Sequence, residues 1–146
     1  MLNEFKQAIE EFNQQQFYAC HDTLEAIWVD AGEADKRFYQ GILQVAVGCY
    51  HLSNDNLRGA IILLGEAVRR LCDYQPDYEG INVELLLEQA SQLLQALQQL
   101  PSEHTIEFFQ RLQQKSSGVK IKSGDRQVID NLAVSCQIPY IEILPD

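Results

Sequence analysis

The sequence predicts an all-α fold, and three observations carry that prediction. Apolar residues recur at three- and four-residue spacing from Leu2 to Leu100. Polar or proline-bearing turns separate those stretches. The chain also overlays on itself after a shift of 40 residues, which turns one helical hairpin into two. The expected architecture is a multihelical bundle of about five helices: two helical hairpins plus one helix, followed by a short irregular or partly extended C-terminal appendage.

The first helix spans about Leu2 to Asn13, with Leu2, Phe5, Ile9 and Phe12 as its apolar stripe. The second runs from about Phe17 to Val29 and stops at Gly32. A third, from about Ala34 to Leu52, turns Phe38, Ile42, Val45, Cys49 and Leu52 to one side. The turn S-N-D-N offers Asp55 or Asn56 as N-cap of the fourth, whose stripe is Leu57, Ile61, Leu64, Val68 and Leu71. Y-Q-P-D-Y-E-G reads as a loop. The fifth helix, from about Asn82 to Leu100, has a leucine-rich face and a glutamine-rich one, and Pro101 closes it.

Beyond Pro101 the pattern weakens. Ser102 to Gln114 is compatible with a sixth helix through Ile106, Phe109 and Leu112, while V-K-I-K and Y-I-E-I-L read as extended pieces. The expected division is therefore a bundle domain over 1–101 and an appendage over 102–146 packed on it.

A chain of 146 residues with 46% hydrophobic content has enough apolar surface for one real core. Its net charge of −10 opposes a phosphate backbone and an anionic membrane surface, so neither nucleic acid nor membrane is an expected partner. The N-terminal stretch lacks the apolar core of a signal peptide. The longest apolar run, Ile42 to Leu52, is broken by Gln44 and too short to span a bilayer. Cys20, Cys49, Cys72 and Cys136 form no C-x-x-C pair, and a set of reduced, mostly buried thiols in a cytoplasmic protein is expected.

The candidate site lies in F-Y-A-C-H-D-T-L-E-A-I-W. The self-overlay places His21 on Ile61 and Glu25 on Gly65, so the first hairpin is ionisable where the second is apolar or empty. Residues four apart share a helix face, so His21 and Glu25 can reach one point in space. An imidazole and a carboxylate there can chelate a divalent metal or pass a proton. Gly41, Gln44, Gly48 and His51 share one face of the third helix, and each internal glycine costs about 1 kcal/mol against alanine. Close packing of a ring, with Trp28 the obvious one, would explain both glycines. The expected cluster is His21, Glu25, Trp28, Gln44 and His51, with His21, Glu25 and His51 as metal ligands. A purely structural polar cluster is the competing reading, because a buried ionic pair need not stabilise. Cys20 is expected in packing, and Arg58, Arg69 and Arg70 on a solvated face.

F-Y-A-C-H-D-T-L-E-A-I-W, F-Y-Q-G-I-L-Q-V-A-V-G-C-Y-H-L and N-L-R-G-A-I-I-L-L together resemble the domain-of-unknown-function family 309, over about Leu2 to Leu97. The family pattern is H-E-x-x-E-x-x-W, a glutamine-containing helix ending in histidine, then N-x-x-G-A. It maps onto His21, Glu25, Trp28, Gln44, His51, Asn56, Gly59 and Ala60, with Arg37 at a position often arginine in relatives. The sequence departs at Asp22, where the family usually has glutamate. The resemblance implies a multihelical bundle and assigns no activity. Three functions stay open: a small-ligand or metal-binding bundle, an interaction module of tetratricopeptide-like hairpins with Cys20 and Ala60 at helix crossings, and a metal-assisted hydrolase. A divalent metal is the cofactor that these residues suggest. A homo-oligomer, a protein partner and an unassigned small ligand stay open as partners.

Overall fold

The computed structural model describes residues 1–117 and 127–146. Seven α-helices lie among the described residues: α1 Asn3–Asn13, α2 Phe17–Asp30, α3 Glu33–Ser53, α4 Leu57–Leu71, α5 Val83–Gln99, α6 Thr105–Ser117 and α7 Gln127–Val134. The all-α class holds, and the expected count of about five is corrected to seven. The two additional helices fall in the stretch read as an irregular appendage. In α6, Thr105, Phe108, Phe109 and Leu112 are buried at three- and four-residue spacing. In α7, among the residues whose burial is described, Ile129 and Ala133 are buried, one turn apart, too short a signal for periodicity to reveal. The V-K-I-K run lies outside the described residues. Of Y-I-E-I-L, Ile143 makes one antiparallel bridge with Ile81.

The two hairpins are structural copies. Gln15 and Asp55, 40 residues apart, close their turns at φ 62° and 60°. In the first turn the backbone N–H of Gln16 donates to Glu11 O at 2.8 Å, and in the second that of Asn56 donates to His51 O at 2.9 Å. Asn56 caps α4 by accepting from Gly59 N at 2.9 Å, and Asn82 caps α5 by accepting from Leu85 N at 3.0 Å. Such caps satisfy N–H groups that have no partner within the helix.

The core explains why the stripes are where they are. Phe5, Ile9 and Phe12 of α1 meet Phe17, Cys20 and Leu24 of α2, while α3 lies between α2 and α4. Phe5 packs edge-on against Phe38 and Tyr39, with ring centroids 5.9 and 5.2 Å away. Across α3 and α4, Gly41 faces Leu71 and Gly48 faces Leu64, so both glycines serve a close helix approach. Trp28 was expected to fill that space. It is instead half-buried at the margin of the core, with Lys36 Nζ 4.8 Å above its ring.

Between α4 and α5, the expected loop contains a two-residue antiparallel ladder, β1 Asp77–Tyr78 and β2 Ile81–Asn82. Residues 140–144 tie distant parts of the chain together. Asn13 bonds the backbone of Ile141 twice, at 2.9 and 2.8 Å. Tyr140 N donates to Gln89 Oε1 at 2.8 Å, Asn82 N to Glu142 O at 2.9 Å, and Leu144 N to Gly80 O at 2.8 Å. Lys115 of α6 donates to the carbonyls of Ala133, Val134 and Cys136 at 3.0, 3.1 and 2.7 Å, closing the end of α7.

Candidate functional site

The core side of α2 runs through Phe17, Cys20 and Leu24, all buried. Since each helical residue turns 100°, His21 falls at the edge of that stripe and not on its axis. His21 is half-buried, as is Ile61, its counterpart in the second hairpin. Its two ring nitrogens face two carboxylates. Nδ1 lies 3.2 Å from Asp22 Oδ1, and Nε2 lies 3.6 Å from Glu25 Oε2. Both acids are exposed, and such surface contacts contribute only about 0–1 kcal/mol, so this group is not what holds the fold together. Among the described residues, His21, Asp22 and Glu25 are the set whose potential metal-ligating atoms lie within 4.8 Å of one another.

Gln44 belongs to a different network. It is 5% exposed and donates from Nε2 to Glu66 Oε2 at 2.7 Å, while its Oε1 accepts from Arg70 at 2.9 Å. Arg70 and Glu66 lie 3.7 Å apart on successive turns of α4. Arg70, expected on a solvated face, is thus half-buried and committed to this triangle. A buried amide needs both a donor and an acceptor partner, and α4 supplies them.

His51 is placed with the second turn. Its Nδ1 lies 3.2 Å from Asn56 Nδ2, and it is not part of the His21 set. The five residues expected in one interior cluster therefore separate into a surface group on α2, a triangle between α3 and α4, a capping contact at the α3–α4 turn and a marginal tryptophan.

Five residues of these groups lie outside the expected cluster. Asp22 joins the site through a backbone step that brings its short arm to Nδ1. Glu66 and Arg70 partner Gln44, a pairing that no local spacing reveals because they lie 22 and 26 positions further along the chain. Tyr18 and Tyr50, both exposed, pack with their rings tilted 57° to each other and centroids 5.4 Å apart, and the Tyr18 ring centre lies 6.0 Å from that of His21. The i, i+3 spacing of Tyr18 and His21 was the available signal.

The group on α2 can orient an imidazole. With Asp22 accepting from Nδ1–H, the lone pair of Nε2 would be free to bind beside Glu25, the carboxylate–histidine–metal arrangement of many metal sites. Among the described residues, no helix is long and apolar enough to cross a membrane.

Residues 5–63 match the model of the family Domain of unknown function (DUF309), a shorter span than the Leu2–Leu97 stretch that its motifs suggested. Over 56 residues the chain is 36% identical to the uncharacterized protein YpuF of Bacillus subtilis (strain 168). That stretch makes up 38% of this chain and 32% of YpuF, so the chain spans about a third of its relative's length. No solved structure matches. Over residues 5–63 this chain is similar to the DUF309 family.

Proposed function

We propose that the family segment is a binding module whose working surface is the outer face of α2, where His21 and Glu25 hold a divalent cation and Asp22 orients the imidazole. The supporting observation is the convergence of three ligand-type atoms within 4.8 Å on one exposed helix face. Mixed nitrogen and oxygen donors suit zinc, nickel or copper better than magnesium or calcium. Gln44 and His51 have no part in it.

The test is calorimetric titration of tag-free protein with zinc and nickel. His21→Ala should weaken binding at least about tenfold, equivalent to 1.4 kcal/mol. His51→Ala should bind like the unaltered protein. Equal affinities for the unaltered protein and His21→Ala would refute the site.

A second reading, an interaction module, is favoured by the Tyr18–Tyr50 pair, since paired exposed aromatic rings are a common feature of contact surfaces. Self-association through this face predicts that Tyr18→Ser lowers the sedimenting mass. Identical sedimentation of the two proteins would remove a homo-oligomeric interface there.

A further inference from the structure

A cavity of about 630 Å³ lies between the first turns of α1 and α3 and the second half of α2, away from the His21 group. This volume falls in the range of small-molecule sites. Leu2, Ala26 and Ile27 give it apolar walls, and Tyr39 lines it while being only 2% exposed. The Tyr39 hydroxyl makes no hydrogen bond among the described residues, although a phenol so deeply placed nearly always has a partner. The hydroxyl is not sealed in the core but opens on the cavity, where water or the polar group of a ligand can reach it.

Its charge is one-sided. Glu4, Asp30 and Asp35 line it, and no lysine, arginine or histidine does among the described residues. Glu4 and Asp35 occupy the first turns of α1 and α3, where the helix dipole favours a carboxylate. Asp30 has no such explanation. It is the last residue of α2, at the negative end of that dipole, with no basic residue in the last turn. Asp35 is held in place by the hydroxyl of Tyr78, which donates to Oδ1. These acids do not converge into a metal-type set as His21, Asp22 and Glu25 do, and apolar walls have nothing to offer a bare ion.

We propose that this cavity binds an alkylammonium group on an unbranched apolar stem. The ammonium lies between Asp30 and Asp35 and donates to the Tyr39 hydroxyl, while the stem lies against Leu2 and Ile27. The site is independent of the cation site on α2.

Titration of the full chain with n-hexylamine, followed by amide NMR shifts, tests this. Hexylamine should shift residues around Tyr39 saturably. Hexanol, with the stem alone, and ammonium chloride, with the charge alone, should bind at least about tenfold more weakly. Nα-acetyl-lysine methylamide carries the same head on a peptide. Tighter binding of that compound assigns the source to a lysine side chain of a protein, and tighter binding of hexylamine to a free amine. Asp30→Asn, a surface change that relieves the end of α2, should fold normally by circular dichroism and weaken hexylamine about tenfold. His21→Ala should leave hexylamine binding intact. Equal binding of hexanol and hexylamine, or an unaffected Asp30→Asn variant, would overturn the proposal.

Discussion

Three glycines on α3 and α4 allow the approach of these helices to be measured with one chemical change. An ideal Cβ at Gly41 would lie 2.8 Å from both Cγ and Cδ2 of Leu71. Carbon contacts are best at about 3.5–4.0 Å, so the new methyl would be too close by about 0.7–1.2 Å. Leu71 is fully buried and has no solvent to move into. At Gly48 the nearest atom is Leu64 Cγ at 3.0 Å, so the overlap is milder. At Gly65 a Cβ would meet nothing within 4 Å. Glycine to alanine within a helix gains about 1 kcal/mol, and overpacking a core costs about 1–3 kcal/mol. Gly65→Ala should therefore stabilise by about 1 kcal/mol. Gly48→Ala should be near neutral, and Gly41→Ala should destabilise by up to about 2 kcal/mol, the overpacking cost less the propensity gain. Urea unfolding followed by far-UV circular dichroism gives all three values. Leu71→Ala alone should cost about 2–5 kcal/mol, but less in the Gly41→Ala background, where the new methyl takes up part of the cavity. If Gly41→Ala proved as stabilising as Gly65→Ala, the close approach of α3 and α4 would be refuted.

Two further outcomes follow from burial and hydrogen bonding. Burial pushes the Cys20 and Cys49 thiols up to about 12 and Cys136 to about 11, whereas Cys72 is exposed. A thiol reagent at about pH 8 should therefore label one cysteine quickly in folded protein and all four after unfolding, and two fast equivalents would contradict this packing. The hydrogen bond to Asp35 raises Tyr78 from 10.0 to about 12, and burial raises Tyr39 likewise. Folded values above the unfolded one mean that these groups contribute stability in full below pH 10, and that it is lost as pH rises from 10.0 towards about 12. Asp35→Asn should bring one phenol back towards 10.0 in an absorbance titration, and a single step for every tyrosine of the unaltered protein would count against it.

Local rules were enough for α1 to α5, because each helix combines an apolar stripe with a readable stop such as Gly32 or Pro101. The self-overlay was more informative still, since it holds down to the left-handed turn residues Gln15 and Asp55. It misled at His21. An apolar residue at the matching Ile61 suggests burial, yet Ile61 is itself only half-buried. The partners of Gln44 could not be read, because Glu66 and Arg70 meet it only once α3 and α4 have packed. The cavity beside Tyr39 was illegible for the same reason, as three separate helices contribute to it.

The bonds from residues 140–144 bear on the order in which the molecule assembles. Each helical hairpin closes over a short stretch of chain, whereas the Asn13–Ile141 contact spans 128 residues. Contacts so distant along the chain form late, after local ones have shortened the effective loop. This segment should therefore be a latch that docks onto a preformed bundle and is first to release. On release, the side-chain amides of Asn13 and Gln89 would lose their partners and the Ile81 bridge would be undone. Native-state hydrogen exchange should show the amides of Tyr140, Ile141 and Leu144 opening at lower free energy than those of α3. Equal protection of both sets would mean that the latch and the bundle open as one unit.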